Sequence, residues 1–249
     1  MNSKSNIIIV GIGGCSRSGK TVLTNELRNQ YRSLIDKKSQ FTYVSATIHL
    51  DKYFKESIKK VVKTNFGNRY CNKEYPGALD WDDFYYDIKD KIDELEEEIQ
   101  NSPKPNKKGI LFIEGFLLFS PDLSDSDDEE DYLNLFDYYI YICLDKTIAR
   151  ERRMKTKSVP GDYYDYVIWP EHIKYCSKYV DFLKKQKKNN KKVLIIDGNK
   201  QYNAKMMAIC ILKWINVFEK CNEYYYDYYY KIFIPFNKQL NLLEKNFHN

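Results

Sequence analysis

Gly14-Cys15-Ser16-Arg17-Ser18-Gly19-Lys20-Thr21 fits the spacing G-x-x-x-x-G-K-[ST] without a gap. Ile7-Ile8-Ile9-Val10-Gly11-Ile12 precedes it as a short apolar run, the signature of a buried strand. Leu23, Leu27, Tyr31 and Leu34 follow at helical spacing. The pattern predicts strand, glycine-rich turn and helix. Such a turn aims successive backbone N–H groups at one point and makes an anion site. The helix N-terminus behind it adds free N–H groups and partial positive charge. Gly14 and Gly19 allow the backbone to approach a phosphate closely. Lys20 is placed to reach β- and γ-phosphates, and the Thr21 hydroxyl to hold Mg²⁺. The loop implies a nucleoside triphosphate and a metal, and leaves the acceptor open.

Further strand patterns recur along the chain at Phe41–Ile48, Ile110–Ile113, Tyr139–Leu144 and Val193–Ile196. Helical spacing separates them. Phe84, Ile88, Ile92, Leu95 and Ile99 predict a long helix from about Asp82 to Gln100. Pro103 and Pro105 follow it. Ile173, Cys176, Val180 and Leu183 predict another. Apolar strands alternating with helices imply a parallel sheet covered on both faces, in three layers. Ligands of such sheets bind at the carboxyl ends of the strands.

At 249 residues the chain is one large domain or a domain with an appendage. We expect a catalytic domain over 1–221 and an extension over 222–249, the latter rich in tyrosine. Net charge is +5, from 40 basic and 35 acidic residues, which suits phosphate handling without requiring nucleic acid. The basic run from Lys184 to Lys192 reads as a solvated loop. The acidic run within 122–131 reads as a solvated insertion. Six cysteines without C-x-x-C spacing read as reduced thiols of a cytoplasmic protein. The longest apolar stretch, Met206–Phe218, is too short to span a bilayer. With three histidines in the chain, Ser-His-Asp chemistry and histidine-rich metal sites are poor fits.

The chemistry then falls to a few residues. Asp51 follows the second strand, in His49-Leu50-Asp51-Lys52-Tyr53-Phe54. A carboxylate there can orient an alcohol and accept its proton. Glu114 ends the strand Ile110-Leu111-Phe112-Ile113, where phosphate-loop enzymes carry an acid that acts on Mg²⁺. Arg150, Arg152 and Arg153 follow the next strand and read as a lid over about 146–165. Arginine stabilises the charge on a transferring phosphoryl group.

Ile113-Glu114-Gly115-Phe116-Leu117-Leu118-Phe119 resembles the corresponding segment of nicotinamide riboside kinases. So do Tyr163-Tyr164-Asp165-Tyr166-Val167-Ile168-Trp169-Pro170 and Ile196-Asp197-Gly198-Asn199-Lys200. With the phosphate loop and Leu50–Phe54, these segments stand in the family's order across roughly residues 7–220. The wider uridine kinase-like group is echoed at Pro76-Gly77-Ala78-Leu79-Asp80. The resemblance implies transfer of phosphate from ATP to the 5′-hydroxyl of nicotinamide riboside, feeding NAD synthesis. It implies that Gly14, Cys15, Ser16, Arg17, Ser18, Gly19, Lys20, Thr21 and Val22 bind ATP, with Arg150, Arg153 and Lys157 from the lid. Lys20 and Asp51 would be catalytic. Lys52, Tyr53, Phe54, Lys73, Glu74 and Tyr163 would join Asp51 around the substrate. Thr21, with Glu114 or Asp51, would hold Mg²⁺. Glu74 stands where the family usually has aspartate on the ribose diol, and Asp80 or Asp82 could serve instead. Lysines stand where family lids carry an arginine. Two other readings fit: a uridine- or cytidine-type kinase, and a regulatory ATP-binding module without transfer.

Overall fold

The computed structural model describes residues 6–33, 41–58, 60–104, 106–123, 126–156, 160–215 and 217. Leu34, Lys157 and the expected extension over 222–249 lie outside them.

The apolar runs form one parallel sheet. Its strands are β1 (Ile7–Gly14), β2 (Phe41–His49), β5 (Asn106–Gly115), β6 (Tyr138–Cys143) and β7 (Lys192–Asp197), in the order β2-β5-β1-β6-β7. A separate antiparallel hairpin joins β3 (Val61–Lys63) to β4 (Arg69–Cys71). The helices are α1 (Lys20–Ser33), α2 (Trp81–Asn101), α3 (Ser126–Asn134), α4 (Lys146–Thr156), the single turn α5 (Gly161–Tyr163), α6 (Trp169–Lys188) and α7 (Ala204–Trp214).

Strand alternation sorts the core into two layers. Ile7, Ile9, Leu111, Ile113, Tyr139 and Tyr141 pack under α2, α3 and α6. Val10, Ile12, Phe112, Ile140, Leu194 and Ile196 pack under α1 and α7. The three-layer fold expected from the sequence is the one observed. Gly11 and Gly13 belong to the first layer. A Cβ on either would lie 2.7 Å from the rings of Phe136 or Phe119, so bare backbone is what admits those rings.

The long predicted helix is α2, capped by Asp80, whose carboxylate accepts from the Asp83 amide. Asp80 is thereby committed to the cap. Both charge runs are carried on helices, which for the basic run differs from expectation. The basic run is not a loop: α6 continues through Lys188, because Leu183 and Gln186 are buried and lysines suit a helix C-terminus. Asn190 then turns left-handed at φ 61, and Lys191 Nζ donates to the carbonyls of Asn134 and Phe136. The acidic run is also helical, as α3. Its anchor is Tyr132, fully buried, whose hydroxyl donates to Leu118 O at 2.9 Å.

Trp169-Pro170 lies inside continuous helix. Pro170 lacks an N–H and would clash with a carbonyl of the preceding turn. The chain accommodates it with a widened π-turn over Tyr164–Ile168.

Candidate active site

The sheet order reverses at β1: β5 and β2 lie to one side, β6 and β7 to the other. The phosphate loop leaves β1 at this switch point, where ligands of open parallel sheets bind. Its conformation requires its glycines. Gly14 has φ +145, and a Cβ there would lie 2.5 Å from Ile142 O. Gly19 has φ +99. Arg17 also adopts positive φ, 68, and completes the curl. Cys15, Leu144, Ala149, Tyr164, Ile168 and Trp169 form a small core beneath the loop. Burial pushes the Cys15 thiol up to about 11, so it is an inert packing group.

Lys20 is buried, and its Nζ donates to Cys15 O at 3.0 Å, folded back over the loop. Thr21 Oγ1 donates to Glu114 Oε1 at 2.8 Å. His49 Nδ1 lies 2.8 Å from the same oxygen. A carboxylate oxygen only accepts, so this ring nitrogen carries the hydrogen. Register explains the meeting: His49 is paired across β2 and β5 with Glu114 itself. Burial pushes the Glu114 carboxyl up. The His49 hydrogen bond, the Lys20 charge and the Thr21 hydroxyl together outweigh it and hold the group below its ordinary value. The result is an ionised carboxylate, 3% exposed, at the foot of the phosphate loop.

One cavity of about 960 Å³ opens above this point. Ser16, Arg17, Gly19, Lys20, Thr21 and Val22 line it from the loop. Asp51 and Phe54 enter from the segment after β2, Lys73 and Glu74 from the segment after β4, and Tyr163 from α5. Glu114 and Phe116 come from the end of β5. Asp51 sits in the 3₁₀ turn Leu50–Lys52, exposed to the cavity. The rings of Phe54 and Phe116 stack at 6.0 Å and 27°. Lys73 Nζ is 5.7 Å from the Phe54 centroid. Burial and the Glu74 charge push the Tyr163 phenol up to about 12.

Other expected site residues lie elsewhere. Gly14, Cys15 and Ser18 shape the loop from behind. Tyr53 turns from the cavity, stacks edge-on against Phe84 and donates its hydroxyl to Asp87 at 2.6 Å. Lys52 is exposed outside the lining. Arg150, expected on ATP, is held by Asp165, with its Nε 3.1 Å from both carboxylate oxygens. Its neighbours take the cavity instead: Arg152, Arg153 and Lys155 line it. Arg153 donates to Ser16 Oγ at 2.9 Å, and Arg152 to Gly198 O at 2.9 Å.

His49, Lys155 and Phe116 are therefore candidate site residues to which sequence reasoning gave no role, and Arg152 was read only as part of the lid. The only signal for His49 was its place at a strand end beside Asp51. Its pairing with Glu114 crosses 65 residues. His172 is a different case. Burial and the Lys20 charge push it down to about 3, and it packs as a neutral ring against Trp169, tilted by 44° with centroids 5.1 Å apart.

The donor set also fits Mg²⁺. A hydroxyl, a buried carboxylate and the exposed Asp51 are hard oxygen ligands. Among the described residues no cluster of three or more His, Cys, Asp or Glu could hold a metal alone. Also among the described residues, no helix is long and apolar enough to cross a membrane, and Cys15, Cys71, Cys143 and Cys210 are free thiols.

The strand order, the loop at its switch point and the Lys20–Thr21–Glu114 arrangement define a class: a three-layer α/β phosphate-loop protein of the kinase type. Within that class, the chain is 25% identical over 224 residues to uridine kinases of Vibrio vulnificus strains YJ016 and CMCP6, covering 83% of this chain and 99% of theirs. No family profile matches the chain. An unliganded sugar kinase from Janibacter sp. HTCC2649 superposes with TM-score 0.40 at 10% identity, covering 85% of this chain and 95% of that one. Shikimate kinase from Bacteroides thetaiotaomicron gives TM-score 0.36 at 10% identity, covering 84% and 98%. Overlaps of this size add nothing to what the strand order shows.

Proposed function

We propose that this chain transfers the γ-phosphoryl group of ATP to the 5′-hydroxyl of a nucleoside, with nicotinamide riboside as acceptor and residues 1–221 as the catalytic unit. The observation that carries the proposal is the shared cavity. Phosphate-loop groups Lys20 and Thr21, and the acceptor-side groups Asp51, Phe54 and Glu74, line the same space.

Lys20, once it leaves the Cys15 carbonyl, reaches the β- and γ-phosphates. Arg17, Arg152, Arg153 and Lys155 supply positive charge around the transferring group. Asp51 orients the 5′-hydroxyl and accepts its proton as the new O–P bond forms and the bond to the bridging β–γ oxygen breaks. Glu74 is the acceptor for the ribose diol, and Phe54 with Phe116 is the wall for the base. Thr21, with Glu114 or Asp51, would hold Mg²⁺, which when bound neutralises charge on the β- and γ-phosphates.

The choice of nicotinamide riboside rests on the Glu114–Phe119 and Tyr163–Pro170 segments. A second acceptor, uridine, is favoured by the alignment along 83% of the chain with uridine kinases. It is also favoured by Lys73 beside Phe54, since a lysine on that ring competes with a cationic pyridinium and not with neutral uracil. ADP formation with nicotinamide riboside, nicotinic acid riboside, uridine and cytidine separates them. If nicotinamide riboside gives no more ADP than a no-acceptor control while uridine does, the acceptor is uridine. Tight ATP binding with no transfer to any nucleoside would make the chain a binding module instead.

A further inference from the structure

We propose that Asn72 and Glu171 are positioning residues for the acceptor, holding Lys73 and Glu74 at the cavity wall. The proposal rests on Lys73 and Glu74 being contacts of a nucleoside, as argued above. Neither Asn72 nor Glu171 lines the cavity, so both act through that segment.

The hairpin of β3 and β4 shares no ladder with the main sheet. Each of its strands has three residues. Alone, a hairpin of this size is marginally stable. Yet its outgoing strand leads directly into Lys73 and Glu74. The residue between is Asn72, at 0% exposure. Both halves of its amide are used: Nδ2 donates to Glu171 Oε1 at 2.7 Å, and Oδ1 accepts from the Glu74 amide at 2.9 Å. An amide held on both sides cannot rotate without losing a partner, so it sets the direction in which Glu74 leaves the hairpin.

Glu171 is the fixed end of this chain. It stands on α6 directly after Pro170, with its side chain 12% exposed. The same Oε1 also accepts from Lys60 Nζ at 2.5 Å. Lys60 O accepts from the Asn72 amide at 2.8 Å, and Lys60 Nζ lies 4.6 Å from the centre of the Tyr75 ring. The segment Lys73–Glu74 is thus gripped before and after. Glu171 Oε2 is buried without a hydrogen-bond partner. A half-satisfied buried carboxylate is a poor device for stability and a good one for holding a register.

The test uses the full chain and whichever nucleoside the wild type turns over. Glu171→Ala raises the acceptor KM by about tenfold, the effect of losing one well-made hydrogen bond to a charged group, and leaves the KM for ATP within about twofold. Glu171→Gln keeps an oxygen for Asn72 and recovers most of the loss. Amide hydrogen exchange over residues 72–76 rises in the alanine variant and not in the glutamine one. Should the alanine variant fail to fold, Lys60→Met removes one grip from the exposed side and shows the same split in smaller measure. An unchanged acceptor KM, or equal loss for ATP and acceptor, overturns the positioning role. A wild type that phosphorylates no nucleoside is a distinct outcome: it removes the nucleoside-kinase reading, and this role with it.

Discussion

The donor and acceptor sides of the cavity are built in opposite ways. The donor side grows out of the main sheet. Its loop is the direct continuation of a central strand, its curl is enforced by Gly14 and Gly19, and Glu114 ends the strand paired beside it. On the acceptor side Asp51 and Phe54 also follow a sheet strand, β2, but Lys73 and Glu74 come from a hairpin held by side chains. That hairpin hangs on Asn72, Glu171 and Lys60, and a second tie joins it to α5. There Asn68 and Tyr70 both donate to Asp162, at 2.8 and 2.7 Å. Backbone-built sites are rigid and tolerate little. Sites held by side chains can be retuned by a few substitutions, which is where a phosphate-loop protein would change its acceptor.

Substitutions can break or sharpen that contrast. The largest effect belongs to the donor side. Lys20→Ala should lower turnover by about 10²–10³-fold, as for other preorganised charge stabilisers. A coupled ADP assay reads it, and a loss under tenfold would mean that Lys20 does not engage the phosphates. Asp51→Asn comes next: turnover falls by about 10²-fold while ATP affinity, measured by calorimetry, holds. Unchanged turnover would remove Asp51 from its role.

His49→Ala sharpens the comparison, because it removes the group that orients Glu114 without touching the loop. We expect about a tenfold loss of activity and a shift to higher Mg²⁺ demand, the usual effect of removing a group that orients a metal-binding carboxylate. A Mg²⁺ titration identical to wild type would show that His49 is only packing. Glu114 also makes a stability prediction. Its folded-state value lies below its unfolded one, so its contribution is complete above the unfolded value of 4.5 and is lost as pH falls through the folded value. Thermal melts across the acid range should show wild type losing stability more steeply than Glu114→Gln, and equal slopes would contradict the pairing. The smallest effect is expected at Arg150. Its partner is Asp165 on a half-exposed surface, so Arg150→Ala should change the KM for ATP by under about threefold. A large rise would show that the lid swings Arg150 onto the nucleotide during turnover.

The loop was legible because its chemistry is local. Gly14 through Thr21 carry backbone conformation, charge and hydroxyl in consecutive residues. The apolar runs gave the strands, and their lack of alternation gave a sheet covered on both faces. Asp51, Glu114 and Glu74 could be nominated from strand order and resemblance. The charge runs hid their helices: Lys185, Lys187, Lys188, Glu130 and Asp131 are solvated as expected, and only buried Gln186 and Tyr132 anchor the helices that carry them. Arg150 and Arg153 are indistinguishable as letters. On α4 they point to Asp165 and Ser16 respectively.

By itself the sequence determined the phosphate loop, the parallel three-layer class and the acids available for chemistry, because each follows from neighbouring residues and a repeating period. Tertiary structure alone decided that His49 and Thr21 share one oxygen of Glu114, that Arg152 and Arg153 rather than Arg150 face the cavity, and that Asn72 hands Glu74 to it. The contacts behind them, His49 and Thr21 with Glu114, Arg153 with Ser16 and Asn72 with Glu171, join residues tens of positions apart in the chain. Strand register and helix rotation set them, and neither is written in any single stretch of the chain.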